Sequence, residues 1–236
     1  GSVEGRKPQE LVWTDRQQGA LLLEEEALRT LSSSSAQVTF RDDSRLRLGA
    51  NSQALIRRMR VDPLSRREEA KVSLVEGDVY ALLDGRSERK KFELDVPGVR
   101  TEVASRDFWV RHDESGSKFA NYDDRGLSVA ANGGQVTLGR DEGTLVREGR
   151  PPSAKVGVLP APALSAPPDD GQTFDAGAEL RWSTVPDAVG YWLEIARDAG
   201  YQRMAASRWG LKAASFTTDP LAAGTYYWRV TALDKF

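Results

Sequence analysis

Apolar residues in this chain recur mostly at every second position, in short runs that Gly, Asp, Asn or Ser interrupt. Residues 36–40 alternate in this way, the acids Asp42 and Asp43 follow, and residues 46–48 alternate again. Alternation with a period of two puts apolar side chains on one face of a strand, and the polar interruptions supply tight turns. The pattern predicts an all-β fold with a hairpin over residues 36–48.

Glycine and proline mark where other strands bend or stop. Residues 72–82 alternate around Gly77, which predicts two strands or one strand bent at this glycine. Residues 92–96 alternate up to Pro97, which lacks the N–H that a central ladder needs. Residues 21–29 and 65–72 compete as short helices, but neither combines an amphipathic stripe with a cap and a stop.

A change of composition divides the 236 residues into two predicted domains. Residues 151–168 are rich in Pro and Ala, which favours an extended, semi-rigid spacer. We therefore predict a first domain over residues 9–150, a linker over 151–168 and a second domain over 169–236. Strands of the second domain are predicted at residues 179–182, 190–196, 215–217 and 225–232, a spacing typical of a β-sandwich.

Composition excludes several classes of function. The chain has 33 Lys and Arg against 35 Asp and Glu, so no net basic field attracts nucleic acid. It has no cysteine and a single histidine, His112, which removes zinc fingers, Cys–His nucleophiles and iron–sulfur clusters. No apolar run approaches the roughly 20 residues of a membrane-spanning helix. We expect no cofactor, no metal and no membrane segment within these residues.

Candidate catalytic groups are weak. Ser-x-x-Lys strings occur at residues 87–90 and 115–118, but no apolar helix follows either one. The acid pairs 42–43, 123–124 and 169–170 lack the spaced ligands of a calcium loop and are interpreted as turn acids. His112 is interpreted as a solvated loop histidine rather than a pH sensor. The chain is predicted not to be an enzyme.

Several strings in the first domain resemble one family. Residues 24–49 contain Ser-x-Ala-x-Val-x-Phe-x-Asp-Asp-Ser-x-Leu-x-Leu, which is similar to the opening of the FecR domain, with Asp43 where that family usually has Gly. Residues 74–79 and 92–97 are similar to its "Leu-x-x-Gly-x-Val" and "Phe-x-Val-x-Thr-Pro". Ser105 and Arg106 replace its Gly-Thr pair, which is a departure from the pattern. The resemblance extends over about residues 9–150.

The second domain resembles a fibronectin type III or other immunoglobulin-like domain. The similar strings are Leu180-x-Trp182, Tyr191-x-Leu193-x-Ile195 and the run over residues 224–230. The resemblance implies an immunoglobulin-like β-sandwich after a FecR-type domain of short antiparallel strands. It also implies that the final strand of the sandwich is missing from these 236 residues, which would leave an open edge.

The resemblance leaves two functions open. FecR domains in the founding family are periplasmic parts of regulators that relay ligand occupancy from a TonB-dependent transporter to a sigma factor. A FecR domain followed by immunoglobulin-like repeats is also similar to envelope proteins that carry a peptidoglycan-binding LysM module. We favour a non-catalytic scaffold or adaptor in the periplasm or envelope of a Gram-negative bacterium, with envelope proteins as partners and peptidoglycan bound through an upstream module. The alternative is the periplasmic sensor part of a sigma-factor regulator.

Aromatic residues supply the candidate binding site. Tyr191, Trp192 and Trp209 lie in the second domain. If Tyr191 is on the core face of its strand, Trp192 points outward, and with Trp209 it would form a binding patch for protein or glycan.

Overall fold

The computed structural model describes residues 2–32, 34–61, 68–84, 90–172, 177–199, 201 and 203–234. In these ranges the regular structure consists of β-strands without a helix, which confirms the predicted all-β class. Within the same ranges no helix has the length and apolar character needed to cross a bilayer. The chain divides into two compact units, Gly1–Gly157 and Val158–Phe236.

The first unit contains fifteen strands among its described residues. They are β1 Val3–Arg6, β2 Thr14–Asp15, β3 Glu26–Thr30, β4 Ala36–Thr39, β5 Arg45–Leu48, β6 Gln53–Val61, β7 Glu68–Leu82, β8 Lys90–Asp95, β9 Arg100–Val103, β10 Asp107–Asp113, β11 Gly116–Asn121, β12 Leu127–Ala131, β13 Gly134–Leu138, β14 Glu142–Val146 and β15 Val156–Gly157. A large sheet has the order β15-β14-β11-β10-β7-β6-β3-β1-β2, with β4, β5 and β8 attached beside this path. Strands β13, β12 and β9 form a small second sheet.

The predicted hairpin over residues 36–48 is confirmed. Strands β4 and β5 pair antiparallel, from Ala36 opposite Leu48 to Thr39 opposite Arg45. The turn places Asp43 at a φ of 67°, in the left-handed region that Asp and Asn tolerate better than other non-glycine residues. Asp43 therefore adopts the backbone conformation for which glycine is the usual choice.

The predicted bend at Gly77 lies within one continuous strand. Before the bend, β7 pairs antiparallel with β6 and parallel with β8. From Gly77 onward the same strand pairs with β10 and β5 instead. Gly77 has a φ of +88°, so the bend transfers β7 from one set of neighbours to another. The parallel β7–β8 pair departs from the prediction of antiparallel strands throughout.

One hydrophobic core fills the first unit and takes side chains from both of its sheets. Its most buried large members from the large sheet include Leu46, Ile56 and Phe108, and Leu127 and Leu138 come from the small sheet. Burial of each such side chain contributes about 1.5–3 kcal/mol, and Leu46 occupies a position that the alternation over residues 46–48 indicated.

The second unit is a β-sandwich of two three-stranded sheets. Its strands are β16 Leu164–Ala166, β17 Glu179–Trp182, β18 Gly190–Ala196, β19 Met204–Leu211, β20 Ser215–Thr217 and β21 Tyr227–Leu233, ordered β16-β17-β20 and β19-β18-β21. Leu180 and Trp182 of one sheet share a core with Leu193, Ile195 and Val230 of the other. The strand positions predicted at 179–182, 190–196 and 215–217 agree with β17, β18 and β20.

Two features of the second half differ from the sequence-based expectations. Short strands β15 and β16 lie inside the predicted Pro/Ala linker, because extended backbone between prolines can still pair at a sheet edge. Strand β19 was not predicted, because most of its residues are exposed and no apolar alternation marks it. The acid pair at 169–170 falls in this half, where Asp170 occupies a turn with a φ of 57°.

Candidate functional site

An aromatic pair lies on the outer face of the β18–β19 sheet. The ring centroids of Trp192 and Trp209 are 5.3 Å apart, with the ring planes tilted by 55°. The indole Nε1 of Trp192 donates a hydrogen bond of 2.8 Å to the Ser207 hydroxyl, and Trp209 is 54% exposed. Together these two residues are named the Trp192–Trp209 surface.

Tyr191 lies apart from this surface. It is 5% exposed, and its ring packs edge-on against Trp182 with centroids 5.7 Å apart. Its hydroxyl accepts a hydrogen bond of 3.0 Å from the backbone N–H of Val185. Because adjacent residues of a strand face opposite sides, the burial of Tyr191 is what directs Trp192 outward. Tyr191 is therefore a core residue that no partner can reach in the folded protein.

The Trp192–Trp209 surface offers partly exposed π faces. The neighbouring Arg208 faces the other side of the strand, where it pairs with Asp219 at 3.1 Å and its guanidinium lies 5.8 Å from the Phe216 ring centroid. Exposed indoles stack on sugar rings and on protein side chains, and they contribute large contact area at low entropic cost. The binding role predicted for Trp192 and Trp209 stays a prediction.

The acid pairs of the first unit serve its turns. Asp42 accepts hydrogen bonds from the backbone and hydroxyl of Ser44. Asp123 accepts from the backbone N–H of Arg106, and the exposed Asp124 pairs with Arg140, which lowers the pKa of Asp124. Among the described residues no three His, Asp or Glu side chains come together in a way that would hold a metal ion.

The two Ser-x-x-Lys strings and His112 occupy less suggestive positions. The string at 87–90 lies outside the described residues, apart from the backbone of its last member. In the other, Ser115 lies in the β10–β11 turn and donates to Asp113 at 2.5 Å. His112 is half-buried rather than in a solvated loop, and its Nδ1 lies 2.9 Å from the hydroxyl of Ser117 across the β10–β11 ladder.

A charged cluster surrounds the bend of β7. Burial raises the pKa of Asp78, and the nearby charge of Arg111 offsets this rise only in part. One carboxylate oxygen of Asp78 is buried without a hydrogen-bond partner among the residues that the structure describes. Arg111 also donates to Asp113 at 2.8 Å. Hydrogen bonding from Ser115, followed by that from Arg111, holds the pKa of Asp113 at about 2. The cluster joins β7, β10 and the following turn.

A groove of about 850 Å³ opens in the first unit beside strand β4. Its apolar part includes Val38, Phe40 and Phe92, and the rings of Phe40 and Phe92 meet edge to face with centroids 6.5 Å apart. Leu21 and Leu23 also line it, and they are 90% and 52% exposed. This volume lies in the range of ligand-binding clefts. We refer to it as the β4 groove.

Sequence reasoning missed the β4 groove because parts of the chain that are distant in sequence build it. The lining comes from residues 20–24, 37–42 and 44, 69–70, 83–84, 92, 103–106 and 125. The available signal was Leu21, Leu22 and Leu23, an apolar run outside any predicted strand. Such a run indicates a surface in need of a neighbour, but it does not indicate which one.

Comparisons with known proteins find a family match within the first unit. Residues 26–137 match the FecR protein family. Two crystal structures of a proposed anti-sigma factor from Parabacteroides distasonis ATCC 8503 are similar, at 16% sequence identity and TM-scores of 0.45 and 0.46. Each alignment covers 56% of this chain and 59% of the other. No curated protein matches the chain.

Proposed function

We propose that this chain is the periplasmic sensor part of a FecR-type sigma-factor regulator. The observation that carries the proposal is the FecR domain over residues 26–137. In the founding family this domain relays the state of a TonB-dependent outer-membrane transporter to a cytoplasmic sigma factor. The role assigned here is to contact that transporter from the periplasm and to pass on its ligand state.

The fold suits a role that depends on protein contacts. The FecR domain encloses one continuous core, while its surface carries the β4 groove and exposed leucines. Exposed apolar surface on a β-domain is typical of protein interaction sites. A relay needs such contacts rather than a catalytic constellation, so we infer a non-enzymatic function.

We infer further that the second unit is a fibronectin type III or immunoglobulin-like domain. The hydroxyl of Tyr226 donates to the backbone carbonyl of Ala222 at 2.8 Å, just before β21. This geometry resembles the tyrosine corner of immunoglobulin-like sandwiches. Trp182, which is 4% exposed, packs between the two sheets as the core tryptophan of such domains does. The domain limits of 9–150 and 169–236, with a connecting segment over 151–168, are part of this proposal.

A second candidate function is an envelope scaffold or adaptor. The observation that favours it is the Trp192–Trp209 surface, since exposed paired indoles suit a glycan or protein partner. In this alternative the second unit makes the principal contact. The glycan bound by this surface would be that of peptidoglycan, which a LysM module on the same polypeptide would also bind.

A capture experiment from the cell envelope tests the proposal. Purified chain is incubated with detergent-solubilised envelope, chemically crosslinked, and its partners are identified by mass spectrometry. Sedimentation with purified peptidoglycan runs in parallel, using Trp209→Ala as the variant and Leu11→Ser as an exposed control in the other unit. The regulator proposal predicts crosslinks between a TonB-dependent transporter and the FecR domain.

The outcomes separate the two candidates. Crosslinks from residues 26–137 to a transporter or to a sigma-factor regulator support the regulator. Cosedimentation with peptidoglycan that Trp209→Ala abolishes and Leu11→Ser preserves supports the adaptor and overturns the regulator as the main function. Crosslinks confined to envelope assembly proteins also count against the regulator.

A further inference from the structure

We propose that residues 2–16 are a releasable cap on the edge of strand β3, and that a strand of a partner protein takes the place of β1 when the cap leaves. These residues contain β1 and β2 and are named the N-terminal hairpin. The inference goes beyond the proposed function, because it concerns how a sheet edge is uncovered and holds whichever signal the protein carries. Addition of a strand to an open sheet edge is a recurring mode of peptide recognition.

The N-terminal hairpin lies at the end of the large sheet. Strand β1 pairs with β3 from Val3 opposite Thr30 to Arg6 opposite Ala27, and β2 pairs with β1 on its other side. Strand β6 holds β3 from the opposite side. The stretch that matches the FecR family begins at Glu26, the first residue of β3, so the hairpin precedes that stretch. Release of the hairpin would leave β3 as the last strand of this sheet.

The hairpin contributes little to the hydrophobic core. Of its aliphatic side chains, Val3 packs partly buried against the core of the first unit, whereas Leu11 and Val12 are 89% and 67% exposed. Gly5, the buried member of β1, has no side chain to contribute. Because the free energy of burial scales with apolar area, release of the hairpin removes little of the stability that holds the rest of this unit together.

Polar contacts fasten the hairpin instead, and one of them is buried. The guanidinium of Arg16 pairs with the carboxylate of Glu26, with 2.8 Å between Nε and Oε1, and Glu26 is 1% exposed. The Arg16 side chain crosses Gly5 to reach its partner, since a Cβ added to Gly5 would lie 2.9 Å from the Arg16 Cγ and 2.8 Å from the Glu26 Oε1. The pair therefore closes over β1 and ties the end of β2 to β3. We name it the Arg16–Glu26 clasp.

A second contact holds the hairpin from the opposite face of the sheet. The ring centroid of Trp13 lies 4.4 Å from the guanidinium carbon of Arg29 and 4.9 Å from that of Arg6. Arg29 also pairs with Glu4 across the β1–β3 ladder. Adjacent residues of a strand face opposite sides, so Arg29 and Glu4 lie on the face opposite the clasp. The hairpin is thus held on both faces by charged groups.

The clasp makes the position of the hairpin depend on one pair of charges. Loss of Arg16 with the hairpin still in place would leave the carboxylate of Glu26 buried without its counterion. A buried unpaired charge is costly, whereas release of the hairpin returns this carboxylate to water. Weakening of the clasp therefore favours the released state.

Residues 17–25 tether the hairpin to β3. They contain no strand or helix, and residues 17–21 are exposed. Leu22 packs partly buried against the core, which fixes the far end of the tether. Residues 2–16 can therefore leave the edge while the chain from Leu22 onward stays in place.

The strand that covers the β3 edge indicates which strand can replace it. In β1, Gly5 lies opposite Leu28 and Glu4 lies opposite Arg29. A Cβ at the position of Gly5 would meet the Glu26 carboxylate, and release of Glu4 takes a carboxylate away from Arg29. The edge therefore selects an extended segment in which an acidic residue precedes glycine, with a basic group that can reach Glu26.

The direction of the backbone groups along β3 provides a built-in control. The N–H of Leu31 donates to the carbonyl of Ser2, whereas the N–H of Thr30 donates to the carbonyl of Ser52, which directly precedes β6. Bonding directions alternate along an antiparallel strand. The odd-numbered amides of β3 therefore face β1, and the even-numbered amides face β6.

Amide hydrogen exchange, measured by NMR at single residues, tests the release. The odd-numbered amides, those of Ala27 and Arg29, are expected to exchange about tenfold or more faster than those of Leu28 and Thr30 after correction for intrinsic rates, because local opening frees one side of β3 only. Slow exchange of the even-numbered amides also shows that the rest of the sheet stays folded.

Variants of the fastening contacts give the matched comparison. Arg16→Gln should raise exchange of the odd-numbered amides by about a further tenfold, because it removes the counterion of a buried carboxylate. Trp13→Ala should act in the same direction from the opposite face. Lys7→Gln is the control, since Lys7 pairs with Glu10 at 3.8 Å in the exposed loop of the same hairpin and such pairs contribute little.

A peptide in trans tests whether the edge accepts another strand. The probe is a fluorescein-labelled peptide that copies residues 2–16, and its binding to the Arg16→Gln chain is followed by fluorescence anisotropy. The peptide carries its own arginine and can close the clasp that this chain has lost. Arg16→Gln or Glu4→Lys in the peptide should each weaken binding about fivefold or more, because each removes an ion pair with β3.

Three results would overturn the inference. The first is equal exchange of the odd-numbered and even-numbered amides in both the parent and the Arg16→Gln chain, and the second is an equal effect of Arg16→Gln and Lys7→Gln. The third is no binding of the copied peptide, or equal binding of its altered forms. Dimers of the Arg16→Gln chain that exchange hairpins would assign the edge to a second copy of this chain instead. None of these measurements involves a transporter or a sigma factor, so their failure is distinct from failure of the proposed regulator function.

Discussion

Replacement of Gly77 by alanine tests why β7 can change its neighbours in mid-strand. Gly77 has a φ of +88°, and an added Cβ would lie 2.3 Å from the Ser52 hydroxyl oxygen and 2.5 Å from the Ser52 Cα. Ser52 cannot easily retreat, because it is 1% exposed and its hydroxyl accepts a hydrogen bond from the N–H of Asp78. The substitution therefore combines backbone strain with a clash against fixed backbone.

The expected cost follows from comparison with Gly98. Gly98 also has a positive φ, of +70°, but nothing lies within 4 Å of an added Cβ. Left-handed backbone costs an alanine about 1–2 kcal/mol, and the stiffer unfolded chain returns about 0.4–1 kcal/mol, so Gly98→Ala should cost about 0.5–1 kcal/mol. Overpacking adds about 1–3 kcal/mol at Gly77, which gives about 2–4 kcal/mol in total.

Native-state hydrogen exchange in increasing urea measures the effect on the first unit, through peptides that span residues 68–84. Thermal unfolding supplies a second readout, in which each kcal/mol corresponds to about 2–4 °C for a unit of this size. Gly77→Ala should lower the midpoint by about 5 °C more than Gly98→Ala does. Equal effects of the two substitutions would show that the bend has no requirement for glycine and would refute this account of β7.

Ionic groups give three further predictions. The pKa of Asp113 is held at about 2 in the folded protein, so its carboxylate stabilises the fold at pH values above the pKa that it has in the unfolded chain. Asp113→Asn should therefore lower the free energy of unfolding at pH 7 and have little effect when urea unfolding is repeated near pH 2. The effect of Asp78 on stability has the opposite sign, because its raised pKa means that the folded state disfavours the charged carboxylate. Asp78→Asn should therefore raise the free energy of unfolding at pH 7 by an amount on the order of 1 kcal/mol. This gain should disappear below about pH 4, where Asp78 is protonated in both states. The Nε of Arg229 donates a hydrogen bond of 2.7 Å to Glu194 Oε2, and its Nη2 lies 2.7 Å from the same oxygen. Glu194 is 2% exposed, so Arg229→Ala should cost about 3 kcal/mol in calorimetry, whereas Asp124→Asn in the exposed pair should leave the transition almost unmoved.

Local patterns predicted those parts of the fold that depend on neighbouring residues. The β4–β5 hairpin, the bend at Gly77 and strands β17, β18 and β20 each follow from alternation, turn residues or a glycine inside a strand. The outward direction of Trp192 also followed, because it depends only on which face Tyr191 occupies. In each case the deciding interactions lie within one strand or one turn.

Features that depend on distant parts of the chain could not be predicted in this way. The parallel pairing of β7 with β8 is set by tertiary packing, and β19 has exposed residues without alternation. The β4 groove requires segments from residue 20 to residue 125 to meet. Tyr191 was proposed as a binding residue from its residue type, and its hydrogen bond to Val185 shows instead that it stabilises the core.

The transcripts that depend on a sigma factor give the most direct test of the central proposal, that residues 26–137, which match the FecR family, belong to a regulator. The measurement compares RNA from a strain that lacks the gene with RNA from the parent and from the complemented strain. The account predicts that transcripts of one sigma-factor regulon change on deletion and return on complementation. Unchanged sigma-dependent transcription, together with an altered cell envelope, would contradict it and support the adaptor function.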